Sequence, residues 1–307
     1  MPSVPSVHLR SGPASRIDVR KTYKLYIGGA FPRSESGRTY LVRSARGEPL
    51  ANAPRASRKD LRDAVRVARG MAQPWAGRSA MNRGQVLYRV AELMEGRRDQ
   101  FVAEVAAGEG LSAARARVAV DAAIDRWVWY AGWTDKLAQV LGNSNPVAGS
   151  YFNFTVPEPT GVVGIVAPER SSLLGLVSRL APALAGGNVT VVIASETRPL
   201  AAVTLTEVLA TSDVPGGVVN LLTGLKSELV PVLAAHVDVD AIDTWGIDPA
   251  EQADVERSAA DGVKRLARRP QGVLDERFDW ADERAAQRPE WIAAFLEMKT
   301  VWHPIGA

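Results

Sequence analysis

Between residues 162 and 242 the chain carries four short, mostly β-branched apolar runs, 162–167, 189–194, 218–222 and 239–242. They recur at intervals of about 20 to 30 residues, with helix-like stretches between them, which is the spacing of repeated βαβ units. Runs of Val and Ile without polar alternation suit strands that are buried on both faces of a parallel sheet. The pattern predicts an α/β fold with a doubly wound, parallel, Rossmann-like sheet. In such a sheet the ligand crevice lies at the carboxyl ends of the strands.

Upstream, residues 22–27 (TYKLYI) alternate and run into Gly28 and Gly29, and 38–43 (RTYLVR) form a second β-like run. With the turn residues 34–37 between them, these predict a hairpin. Ser57 followed three residues later by Asp60 is an N-cap signature, and Leu61, Val65, Ala68 and Met71 continue at helical spacing until Pro74 stops the pattern. Leu87, Val90 and Met94 mark a second helix. Residues 112–141 read as one long helix with Val120, Ile124, Trp127 and Ala131 on a stripe. The aromatics Trp127, Trp129, Tyr130 and Trp133 read as core packing rather than a ligand platform. A loop at 142–149 precedes 151–156, which alternates as a two-faced strand. Residues 267–290 collapse into charge with two prolines and read as a linker, and 295–302 (FLEMKTVW) alternate as a terminal strand.

Composition narrows the function classes. The 307 residues are 46% hydrophobic, enough for a sizeable core. Lys and Arg number 37 against 34 Asp and Glu, a formal charge of +3. So small an excess provides no phosphate-tracking patch, so nucleic acid is not an expected partner. No run reaches the roughly 18 apolar residues of a membrane span. Residues 1–20, with Pro2, Pro5 and Pro13, lack the apolar centre of a signal peptide and read as a flexible, mildly basic arm. The expected location is the cytoplasm. The absence of cysteine excludes disulfides and thiolate metal sites. His8, His236 and His303 share no ligand spacing, so no metal is expected.

Several stretches taken together resemble the aldehyde dehydrogenase superfamily. KLYIGGAFPRSESG, ASRKDLRDAVRVAR and RWVWYAGWTDK are similar to its N-terminal half. PEPTGVVGIVAP and LAPALAGGNVTVV resemble its first nucleotide-domain strand, helix and second strand, VPGGVVNLLTG its third strand, and EMKTVW its closing strand. The resemblance implies a dinucleotide domain, a catalytic domain holding a nucleophilic cysteine, and a β-flap that pairs subunits. The first and third are present. Where the second would begin, after Arg265, stands the charged linker, so the substrate-handling domain reads as deleted. The expected division is an arm at 1–20, a dinucleotide-binding-like domain at 21–142 and 157–266, a flap at 143–156 and 291–307, and the linker at 267–290.

By the same resemblance, the cofactor-binding residues are Ala167, Pro168, Ser195, Glu196, Gly224 and Gly246. Around them the family's chemistry is altered. Glu169 and Arg170 replace a Trp-Asn pair whose Asn helps bind the oxyanion. Ile193 and Ala194 replace the Lys-Pro that precedes Ser195 and Glu196, where the family's Lys and Glu hold ribose hydroxyls. Ile247 replaces a serine under the pyrophosphate and Glu251 a glycine, and Asp248 and Glu251 repel phosphate. Glu196 reads equally as a ribose ligand and as a helix-start carboxylate. The general-base Glu expected after Lys264 and Arg265 is absent, and no catalytic residue is named. The expectation is a non-catalytic protein that binds NAD(P) weakly or not at all and works as a homo-oligomer or as a hetero-oligomer with an active aldehyde dehydrogenase. The rival readings are an NAD(P)-linked oxidoreductase subunit sharing a partner's site and a nucleotide-binding sensor. The closing strand, by resemblance, lies against a neighbouring subunit's sheet; the alternative is that it folds back onto its own sheet, which the linker at 267–290 is long enough to allow.

Overall fold

The structure is a computed structural model that describes residues 21–269, 273 and 278–306. The arm expected at 1–20 lies outside the described residues. The run 22–27 does not join the hairpin expected of it. Tyr26 instead exchanges backbone hydrogen bonds with Leu221 at 3.0 and 2.7 Å, and the chain then folds back tightly, Ile27 pairing with Ala30. The hairpin forms one run later, between β1 (Thr39–Arg43) and β2 (Pro49–Pro54).

The capping box is present at the start of α1 (Arg58–Ala76). The Ser57 hydroxyl accepts from the Lys59 and Asp60 amides, and the Asp60 carboxylate accepts from the Ser57 amide. The helix runs on through Pro74, contrary to the expected stop. A helical proline removes one hydrogen bond and crowds the turn before it, but here Trp75 is buried and its indole donates to the Leu184 carbonyl at 3.2 Å, tying the last turn to the core. Helices α2 (Ala80–Glu95) and α3 (Arg98–Glu109) follow. The long helix expected at 112–141 is two: α4 (Ala113–Ala131) ends at Gly132, and α5 (Leu137–Leu141) resumes after a turn in which Thr134 bonds back to the Ala131 carbonyl. Trp127 and Tyr130 are fully buried core residues. Part of the loop expected at 142–149 is strand, since β3 (Asn143–Asn145) pairs with β4 (Tyr151–Pro159) and the Asn145 amide donates to Asn153 and Thr155.

The main sheet is built from β5 (Val162–Val166), α6 (Leu174–Ala185), β6 (Val189–Ile193), α7 (Leu200–Leu209), β7 (Val219–Leu222), α8 (Lys226–Ala235), β8 (Ala241–Asp243), α9 (Gln252–Asp261) and β9 (Arg265–Ala267). Its order is β7-β6-β5-β8-β9 and every pairing is parallel. Every residue of β5 and β6 is buried, as two-sided coverage requires. Helices α1, α8 and α9 pack on one face and α6 and α7 on the other, the latter backed by α2, α3 and α4. The chain runs outward from β5 through β6 to β7, then returns to β8 on the other side. That reversal splays the connections apart beside β5 and opens a crevice there. The apolar pattern alone marks no strand at β9, which is short and begins on an arginine.

Over its described part, the segment expected to be a charged linker is packed rather than solvated. Trp280 and Ala286 are buried, and the short helices α10 (Glu283–Ala286) and α11 (Glu290–Ala293) lead Ile292 and Phe295 into the core. Charged residues fill the outward positions, which hides the few inward ones in a composition count. Arg126 of α4, itself buried, fastens the segment by donating to the carbonyls of Trp280, at 3.1 Å, and Ala286. The chain ends in β10 (Leu296–Pro304), which pairs antiparallel with β4 from Leu296 opposite Pro159 to Pro304 opposite Tyr151. On one side the closing strand is thus paired with its own flap. In the order β10-β4-β3 it stands at the sheet's edge.

Candidate functional site

A crevice of about 680 Å³ opens at the carboxyl ends of β5, β6 and β8 and the start of α8. Its basic lining residues are Arg170, Arg198, Lys226 and Arg269, and its acidic ones Glu169, Glu196, Asp248 and Glu251, with Trp245, Gly246 and Ile247 on the β8 side. Positive and negative groups are matched in number, so the lining carries no excess of charge that would select an anion.

Glu169, in the turn after β5, organises this space. Its carboxylate accepts from the Ser195 hydroxyl at 2.9 Å, from the Glu196 and Thr197 amides at 2.9 and 3.2 Å, and from the Thr197 hydroxyl at 2.9 Å. The Lys226 ammonium stands 2.5 Å from the same carboxylate and donates to the carbonyls of Ala167 and Gly246 at 2.7 and 2.9 Å. Burial alone pushes the Glu169 carboxyl up; the Lys226 charge and the donated hydrogen bonds outweigh it and hold the carboxyl below its ordinary range. Glu196 accepts from the Lys226 amide at the first turn of α8, at 2.8 Å. The Ser195, Glu196, Thr197 and Lys226 donors at these strand ends are thus engaged by the chain's own carboxylates.

The six residues expected to bind cofactor separate on this geometry. Glu196 and Gly246 line the crevice. Ser195 and Ala167 act behind its wall, one donating to Glu169 and the other accepting from Lys226. Pro168 packs towards Gly175 of α6, and Gly224, with φ of +154°, lies close against the backbone of Ala56. Neither lines the crevice. Glu196 starts no helix of its own; it caps α8 across the crevice. Gly246 is required by contact, since a Cβ there would come 1.9 Å from the Ala167 carbonyl oxygen. Ile193 is wholly buried and does not line the crevice, whereas Ile247 does. The ammonium near the strand ends comes instead from Lys226, which the sequence pattern does not single out. One signal was available: a lysine in the first turn of a helix opposes the dipole and needs acidic partners.

Trp245 joins the crevice to an aromatic cluster. Its ring lies 4.7 Å from Trp280, 4.8 Å from Phe278 and 5.8 Å from Trp291. Beneath it runs a buried ion pair between Arg179 of α6 and Asp243 of β8, with side chains 3% and 0% exposed. The Arg179 guanidinium also stacks over Trp291 at 4.3 Å. Burial pushes the Asp243 carboxyl up, against the pull of Arg179. Among the described residues no cluster of His, Asp or Glu is placed to hold a metal, and no helix is long and apolar enough to cross a membrane.

A doubly wound parallel sheet with a strand-end crevice and an appended flap defines a dinucleotide-domain architecture, and comparison with known proteins specifies which one. Residues 31–268 match the profile of the aldehyde dehydrogenase family. The chain is 32% identical over 297 residues to retinal dehydrogenase 2 of Gallus gallus, covering 92% of this chain and 56% of that protein. It is 30% identical over 275 residues to aldehyde dehydrogenase, cytosolic 1, of Elephantulus edwardii, covering 87% and 52%. Among solved structures, HpcC from Thermus thermophilus superposes with a TM-score of 0.76 at 31% identity, over 80% of this chain and 47% of that one. The NAD+ complex of aldehyde dehydrogenase from Bacillus cereus gives 0.75 at 27% identity, over 80% and 50%. This chain belongs to the aldehyde dehydrogenase family, and it spans about half the length of the relatives it matches.

Proposed function

We propose that this chain is a non-catalytic member of its family that works by association, as an assembly or regulatory subunit, either with itself or with an active aldehyde dehydrogenase in the cytoplasm. The observation that carries this reading is the flap. Its outer strand, β10, offers nine residues of edge, and apolar side chains stand out on both faces of the three-stranded sheet: Met298, Trp302 and Tyr151 on one, Phe152 on the other. Trp302 is 57% exposed. A small sheet that is apolar on both sides gains stability only when something covers it, and an open edge is a template for another strand. Light scattering on the intact chain, alone and mixed with an active aldehyde dehydrogenase from the same source, tests the reading. The expected result is a mass of at least two chains for the protein alone or, in the mixture, a species heavier than the active enzyme by itself, lost in either case with Trp302→Glu and Phe152→Glu. A single-chain mass for the protein alone, with no species in the mixture heavier than the enzyme by itself, sinks the proposal.

Within this reading NAD(P) binds weakly or not at all, and the chain turns over no substrate alone. The family's acyl intermediate forms on a cysteine thiolate, the chain contains no cysteine, and a hydroxyl in its place would need an activating base that the sequence does not supply. The purified chain is expected to form no NADH from a panel of aldehydes and to hydrolyse no activated ester. Turnover that persists after a second, orthogonal purification would contradict this.

A further inference from the structure

We propose that the Glu169 carboxylate is a built-in occupant of the crevice, seated on the amide and ammonium donors that a phosphate would use, so that the intact chain excludes phosphate-bearing ligands. The inference rests on reading the crevice as a dinucleotide site that has lost its ligand.

The same device repeats along the whole strand-end edge. Glu109 of α3 accepts from the Ser172 amide at 2.7 Å, just before α6. Glu169 accepts from the two amides after β6, Glu196 from the Lys226 amide at the start of α8, and Asp248 from the Ala250 amide after β8 at 2.9 Å. Backbone amides in such turns are general seats for anions, and here each of these four turns seats one of the chain's own carboxylates. Lys226 makes the Glu169 seat the deepest of them. Its side chain is largely buried, and its ammonium is shared between the Glu169 carboxylate and the carbonyls of Ala167 and Gly246. A phosphate entering this space would have to displace Glu169 from the amides and the ammonium that hold it, and the remaining lining, which carries both signs of charge, offers no net attraction to offset that loss.

Removing the Glu169 charge reverses the balance. It leaves the Lys226 ammonium, the Glu196 and Thr197 amides and the Ser195 and Thr197 hydroxyls converging on the volume that one oxyanion would fill. The test titrates inorganic pyrophosphate and NAD by calorimetry into the intact chain, Glu169→Ala and Glu169→Gln, each first checked for folding by circular dichroism. The intact chain is expected to show no saturable binding at millimolar ligand. Glu169→Ala should bind pyrophosphate about tenfold or more tightly than the intact chain, and Glu169→Gln, which keeps the shape and loses the charge, should gain part of that. If Glu169→Ala does not fold, the glutamine variant decides alone. Tight binding of NAD to the intact chain overturns both this inference and the weak-cofactor reading. A folded variant that gains no pyrophosphate affinity, while the intact chain stays silent, overturns this inference only.

Discussion

Replacing Asp243 by Ala is expected to destabilise the protein by about 3 to 5 kcal/mol, the cost of leaving one member of a buried ion pair without its partner. Arg179 has no route to water: its side chain is 3% exposed and is walled in by Trp245, Trp291 and Phe295. Losing the carboxylate also removes the acceptor of the Trp245 amide at 3.0 Å, so the turn that forms the crevice floor loses its anchor. At roughly 3 °C per kcal/mol for a chain of this size, the midpoint of thermal unfolding should fall by about 10 °C. The control is Arg179→Met combined with Asp243→Leu. Removing both charges together spares the unpaired ion, so the double variant should be more stable than Asp243→Ala. Thermal melts of the three proteins decide it; a double variant as unstable as the single one would show that the charge pairing is not what matters.

The second large effect concerns the charged segment between β9 and β10. Trp280→Ala should cost about 3 to 5 kcal/mol, the usual range for deleting a large buried aromatic. Its ring packs 4.7 Å from Trp245, 4.8 Å from Phe278 and 5.8 Å from Trp291, so the cavity left behind would lie at the centre of the cluster. Amide hydrogen exchange should accelerate through α10 and α11, because Arg126 then holds the segment by its carbonyls alone. Unchanged exchange in those helices, with an unchanged melting point, would mean that the segment is only laid on the surface and closes nothing.

These two sites show where sequence reading stops. Trp280 is visible as a residue, but a stretch dense in Arg, Asp and Glu averages out to a linker. Only the positions of Trp280, Ala286 and Ile292 on one side reveal an inward face, and α10 and α11 are too short to establish a helical period. The Glu169–Lys226 pair is hidden for another reason. Its members lie on different strand-end connections, and no local pattern links them until the sheet order brings β5, β6 and α8 together. Ser57 and Asp60 are legible because a capping box is closed within four residues.

What the sequence determined by itself was whatever short-range physics could enforce. The β-branched runs at 162–167, 189–194 and 218–222 can bury both faces only inside a covered parallel sheet, so strand positions and fold class followed from them, and the absence of cysteine removed thiolate chemistry at once. Tertiary structure alone decided the rest. It set Lys226 against Glu169, returned β10 to β4 and folded the charged segment into an aromatic cover. Each of these depends on groups far apart in sequence whose desolvation is offset only when they meet, and that compensation is a property of the assembled core, not of any segment within it.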